Sequence, residues 1–114
     1  EIRKQFVGLV MQHYTRERSI SFYAEQLNIT PQHLCTTIKQ ITGFTASDII
    51  ARMVILDAKA QLKSTELTIQ EISYSLNFPN VSFFGKYFKR HVGMSPQAYT
   101  KEESPYPNQT DKGF

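Results

Sequence analysis

The stretch Ile69–Pro96, IQEISYSLNFPNVSFFGKYFKRHVGMSP, decides the fold. Thr68 precedes it, and Thr68 with Glu71 has the spacing of a capping box, in which each side chain bonds the other's backbone N–H. Ile72, Leu76 and Phe78 follow as an apolar set. Phe78-Pro79-Asn80 reads as a turn. A second helix then spans roughly Val81 to His91 and closes at Gly93, the residue type that most easily takes the left-handed position after a helix. Ser95-Pro96 starts a last short helix to about Thr100, with Ser as cap and Pro at the first helical position.

The same pattern stands once before. Ile20, Ala24 and Leu27-Asn28-Ile29 match Ile69, Ser73 and Leu76-Asn77-Phe78 at an offset of 49 (Ile20 to Ile69). After one extra residue in the second turn, Leu34, Ile38, Gly43 and Thr45 match Phe84, Phe88, Gly93 and Ser95 at an offset of 50 (Leu34 to Phe84). Each copy is a short helix, a tight turn and a second helix. Ala24 and Ser73 are small, as close approach of another helix requires. Asn28 and Asn77 sit in the turns, and asparagine is one of the few non-glycine residues that tolerates a left-handed backbone. Each copy is a helix-turn-helix unit.

The rest of the chain reads as helix. Ile2 to Tyr14 places Ile2, Phe6, Leu9 and Val10 at helical spacing, with Gly8 as a weak point. Ser21–Leu27 is a short helix, and Thr30-Pro31 starts another that runs to about Thr42. Leu34, Ile38 and Ile41 are expected on its inner face. A long helix begins at Thr45, with Asp48 as a capping-box variant, and ends near Lys63. Its apolar residues (Ile49, Ile50, Met53, Val54, Leu56, Ala60, Leu62) form a broad face, which predicts burial between two layers. The expected fold is all-α: seven helices, with two helix-turn-helix subdomains joined by a long linker helix. The domain is placed at 1–100, with the first unit at about 20–43, the linker helix at about 45–62 and the second unit at about 69–93. Residues 101–114 are read as a polar, Pro-rich tail.

Composition narrows the function. The chain has 114 residues, 40% of them hydrophobic and 20% charged, as expected of one globular domain. No apolar stretch is long enough to suggest a membrane span. No leader suggests secretion, and a single cysteine, Cys35, fits a reducing compartment. The start at Glu1 suggests a piece of something longer. His13, His33 and His91 lie far apart, and no phosphate loop or paired nucleophile and base is visible, so the expectation is no enzyme, no metal and no cofactor. Net charge is only +3, but its distribution is uneven. No carboxylate lies between Gln26 and Ser47, and none between Ile72 and Lys101, where Lys86, Lys89, Arg90 and Lys101 stand. A surface that approaches phosphates would explain both windows.

The segment Ile69–Phe78, with Ser82-Phe83-Phe84, Phe88-Lys89, Gly93-Met94-Ser95-Pro96 and Tyr99, resembles the signature of AraC/XylS-type transcription regulators. The first half, Ala24 to Gly43, is similar to that family's less constrained first unit, and the resemblance covers roughly Phe6 to Thr100. It implies the seven-helix fold and sequence-specific binding of double-stranded DNA for transcription regulation, with activation the commoner outcome. It also implies an N-terminal sensing or dimerisation region elsewhere in the full-length protein, contact with RNA polymerase, and a bacterial cytoplasmic, nucleoid-associated setting. Thr100 stands where the family often has Arg, which puts one phosphate contact in doubt. Asn77 stands where it often has Gly.

In such a unit the second helix enters the major groove. With Leu34, Ile38 and Ile41 inward, Gln32, Cys35, Thr36, Lys39 and Gln40 point outward. By the family pattern Gln32, Cys35 and Thr36 match base-reading positions. Gln can take adenine bidentately, and Thr offers a hydroxyl or a methyl. Cys35 has two open roles, a groove contact or a half-buried small residue. In the second unit Phe84, Phe88 and Tyr87 are expected inward. Val81, Ser82 and Lys86 are the base-reading candidates, and Lys86 could take guanine O6 and N7. Lys39, Gln40, Phe83, Lys89 and Arg90 are the backbone candidates. Phe83 is either against sugar and backbone or in the core, and the lysines are either phosphate contacts or a solvated face. A linker helix of about 18 residues spans roughly 27 Å, which with the flanking units approaches one DNA turn, about 34 Å. An isolated monomer would then enter two successive major grooves. A helical protein-docking module built on Phe83 and the aromatic segment Tyr74–Tyr99 is the alternative.

Overall fold

The structure, a computed structural model, describes residues 1–64 and 66–101. The described residues form seven helices and no strand: α1 (Ile2–His13), α2 (Ile20–Gln26), α3 (Pro31–Thr42), α4 (Ala46–Ser64), α5 (Ile69–Ser75), α6 (Val81–Val92) and α7 (Pro96–Lys101). The all-α expectation holds. The proposed tail from Glu102 lies outside the described residues, and Lys101 belongs to α7.

Helix ends follow from local side chains. Ser19 caps α2, so that helix starts one residue earlier than its periodicity suggests, at Ile20. Thr30 Oγ1 accepts from the His33 amide at 3.0 Å, with Pro31 as the first helical residue. Thr45 Oγ1 accepts from the Asp48 amide at 2.9 Å. Thr68 and Glu71 complete the reciprocal box: the Glu71 amide donates to Thr68 Oγ1 at 3.1 Å, and the Thr68 amide donates to Glu71 Oε1 at 2.8 Å. Gly43 and Gly93 end α3 and α6 with φ of 82° and 98°, a conformation that costs a side-chain-bearing residue.

The chain divides into two compact units, one over Glu1–Val54 and one from Ile55 onward. In the first, α1 packs on α2 and α3, and α2 packs on α3. Phe6, Val10, Tyr23, Ala24, Leu34 and Ile38 are buried there. Phe6 and Tyr23 meet edge to face at 5.6 Å, and the Tyr23 hydroxyl donates to the Glu17 carbonyl at 2.7 Å, so the buried ring keeps its polar end satisfied. In the second, α5 packs on α6 and α6 on α7. Ile72, Leu76, Phe78, Phe84 and Phe88 are buried, and Phe84 stacks against both Phe78 (5.3 Å) and Phe88 (5.9 Å). Burial of each such ring contributes about 2 kcal/mol relative to exposure.

The two turns are built alike. Asn28 and Asn77 adopt φ of 59° and 61°. The Ile29 amide donates to the Ala24 carbonyl (3.0 Å) and the Asn28 amide to the Glu25 carbonyl (3.1 Å). The Phe78 amide donates to the Ser73 carbonyl (2.9 Å) and the Asn77 amide to the Tyr74 carbonyl (3.0 Å). This is the Schellman arrangement, with asparagine in the left-handed place. Ala24 and Ser73 are buried beside it, as their size requires.

Three expectations fail. Ile41 is 47% exposed, although helical spacing sets it on the same face as Leu34 and Ile38. Leu56 is 45% exposed and Ala60 is exposed too. On α4 the buried set is Ala46, Ile50, Ala51, Val54, Ile55, Ala58 and Leu62, joined by Lys59. Ile49, Met53, Leu56 and Ala60 recur at helical spacing on a separate, more exposed stripe, so the broad apolar face is two faces with different fates.

Asn77→Ala is expected to lower stability by about 1 kcal/mol, because alanine pays the left-handed penalty, whereas Asn77→Gly is expected to match or exceed the parent. Thermal unfolding of the two variants checks this.

Candidate nucleic-acid interface

The interface is built on the second helix of each unit. α3 and α6 are each 12 residues long and are capped at the same relative positions, Thr30 and Asn80 before them, Gly43 and Gly93 after. Each spends two positions on the core: Leu34 and Ile38 in α3, Phe84 and Phe88 in α6. Neither helix contains a carboxylate.

On α3, Gln32, Cys35, Thr36, Lys39 and Gln40 are all exposed. The half-buried role for Cys35 therefore does not hold. Lys39 is partly committed: its Nζ donates to the Gly43 carbonyl at 3.0 Å, closing the end of the helix where the backbone dipole favours a cation. Ile41, in line with Leu34 and Ile38 but exposed, adds to the accessible surface, and His33, one of the three separated histidines, is exposed in the first turn.

On α6, Ser82, Phe83, Lys86, Lys89 and Arg90 are exposed, and Val81 is half-buried. Phe83 is 58% exposed, which removes the core-packing alternative. Tyr87 is half-buried and meets Phe78 at 5.2 Å, less deeply seated than Phe84. Asn80 Oδ1 accepts from the Phe83 amide at 3.0 Å and so orders the turn that carries Val81, Ser82 and Phe83. Lys89, Arg90 and His91 occupy the last turn. An open groove of about 380 Å³ runs beside α6, with Ser82, Gly85, Lys86 and Lys89 on one side and Pro96 and Gln97 on the other. Gly85 and Gln97 were not singled out from sequence. Gly85 carries no side chain for a pattern to register, and Gln97 reaches the groove only because α7 packs on α6.

Among the described residues, no three His, Cys, Asp or Glu side chains converge on a possible metal position, and no helix is long and apolar enough to cross a membrane.

A family model described as a helix-turn-helix domain matches residues 23–102, more than half of the chain. The chain belongs to the AraC/XylS family. It is 28% identical over 97 residues to the melibiose operon regulatory protein of Escherichia coli K12, a match covering 85% of this chain and 32% of that protein. It is 28% identical over 92 residues to the HTH-type transcriptional activator AarP of Providencia stuartii, covering 81% and 68%. The chain thus spans about a third of the melibiose regulator's length. Among solved structures, the C-terminal domain of the response regulator AraT from Geobacillus stearothermophilus superposes with a TM-score of 0.81 at 29% identity, covering 92% of this chain and 89% of that one. The DNA-binding domain of AdpA, solved in complex with a target DNA, shares the fold at 17% identity and a TM-score of 0.75, covering 96% of both chains. This AraC/XylS domain serves DNA-binding transcription regulation, and its relatives are regulators rather than enzymes.

Asn80→Ala is expected to cost about 1 kcal/mol by freeing the Phe83 amide, and to fray the first turn of α6. Thermal unfolding, with amide exchange at Ser82 and Phe83, measures both effects.

Proposed function

We propose that the domain reads an asymmetric site in double-stranded DNA, with α3 and α6 each entering a major groove. Gln32, Cys35, Thr36, Val81, Ser82 and Lys86 lie toward base edges. Lys39, Gln40, Phe83, Lys89 and Arg90 lie toward sugar and phosphate. The observation that carries this reading is the pair of equally capped, carboxylate-free helices whose outward residues are exposed. Their outward residues differ, Gln32 and Thr36 in one and Ser82 and Lys86 in the other, so the two boxes should differ as well. A protein with one such helix obtains two contacts by pairing with a second copy on a palindrome. This chain carries two helices and binds as a monomer.

The domain has no catalytic role in this reading. It acts within a longer regulator that carries a sensing or dimerising region, in the bacterial cytoplasm on the nucleoid. Activation, through contact with RNA polymerase, is the outcome supported by relatives named as transcriptional activators.

Selection from a random duplex pool is expected to yield one non-palindromic motif, bound one chain per duplex. About four to eight phosphate contacts are expected, so log affinity should fall with log salt at a slope of about −0.9 per contact. Absence of binding to every duplex at low salt overturns the reading. Retention on an apolar resin but not on heparin would instead favour a protein-docking role for exposed Phe83 and Tyr74.

The lysines of α6 separate the two kinds of contact. Lys86→Ala is expected to cost roughly 1–3 kcal/mol and to relax preference at one base pair, whereas Lys89→Ala should weaken all duplexes alike and flatten the salt slope. Equal losses for both variants on specific and random duplexes would place Lys86 on phosphate.

A further inference from the structure

Gly85 lies in the middle of α6, where glycine is the poorest helix former except proline because it gives up the most backbone freedom. A Cβ built on it meets nothing within 4 Å. Neither packing nor a turn inside the protein calls for a residue without a side chain at this place. Gly8 in α1 is equally open, so the glycine alone carries nothing, but its surroundings do.

Gly85 is half-buried between the exposed residues Ser82, Lys86 and Lys89, and it lines the groove that Pro96 and Gln97 face. The groove is lined by two lysines and no carboxylate, which suits a polyanion. The register repeats as well. Gly85 is the fifth residue of α6, and Cys35, also small and exposed, is the fifth residue of α3. In both helices the small residue stands among the outward side chains, with Gln32, Thr36 and Lys39 around one and Ser82, Lys86 and Lys89 around the other.

We propose that Gly85 sets how deeply α6 seats against DNA: a sugar–phosphate strand comes closest to the protein backbone there, and any side chain at 85 holds the helix off. The proposal rests on the DNA-reading role of α6. Gly85 then selects by exclusion rather than by hydrogen bonding. Lys86 and Lys89 reach base edge and phosphate only when the helix settles to that depth. In the free protein the same position is a weak point, because a residue with a side chain would hold the helix better.

The test compares Gly85→Ala, Gly85→Leu and, as a control away from α6, Gly8→Ala with the parent. It uses thermal unfolding and mobility shift on the duplex selected from the random pool. Both alanine variants are expected to unfold a few degrees higher than the parent, through better helix propensity alone. Gly85→Ala is expected to bind at least about tenfold more weakly and Gly85→Leu more weakly still, while Gly8→Ala stays within about twofold of the parent. Binding by Gly85→Ala within about twofold of the parent overturns the proposal. So does a lower unfolding temperature for Gly85→Ala, which would give the glycine a role inside the fold, and so does an equal loss in Gly8→Ala. Failure of the parent itself to bind any duplex overturns the DNA reading instead, and the parent lanes show that directly.

Discussion

A left-handed asparagine between two helices is the constraint on which each unit depends. Asn28 and Asn77 turn the chain at φ of 59° and 61°, and the amides that follow bond back to the carbonyls of Ala24 and Ser73. Those bonds satisfy the end of the first helix and fix the direction in which the chain leaves it. Direction decides which face of the next helix meets the core. With the turn in place, Leu34 and Ile38, or Phe84 and Phe88, are delivered inward together. The small residues Ala24 and Ser73 complete the arrangement, since a larger side chain at either buried position would have no room.

With the scaffold held by turns, caps and a few buried residues, the outward positions of α3 and α6 are free to differ. α3 presents a glutamine, a thiol and a hydroxyl, with one lysine drawn back to its own helix end. α6 presents a serine, a phenylalanine and a cluster of cations in its second half. Equal geometry with unequal chemistry suits the proposed reading of two unlike boxes by one chain. The absence of carboxylates from both helices removes the repulsion that would otherwise oppose phosphate approach.

Much of the fold and part of the site were legible in the residues themselves, because their signals are local. Capping pairs such as Thr68 and Glu71 act over one turn of helix, and the left-handed tolerance of Asn77 is a property of its own backbone. The outward position of Lys86 and Lys89 follows from 3.6-residue periodicity once Phe84 and Phe88 are assigned to the core. Cys35 and Phe83 could not be placed in this way. A small thiol and a phenylalanine suit either environment, so only the packed neighbours distinguish them, and both turned out exposed.

The sequence alone therefore determined the seven helices, their turns and the acid-free faces, since each depends on residues within a few positions of one another, and the repeat, which is visible by comparing two stretches of the chain. Tertiary packing decided the remainder. It left Ile41, Leu56 and Ala60 outside although their chemistry favours the core, and took the Lys59 side chain in. It set α7 against α6 so that Pro96 and Gln97 face Lys86 and Lys89 across a groove. Hydrophobic periodicity marks which residues of a helix can be buried together, but the burial of each one depends on which other helix arrives to cover it.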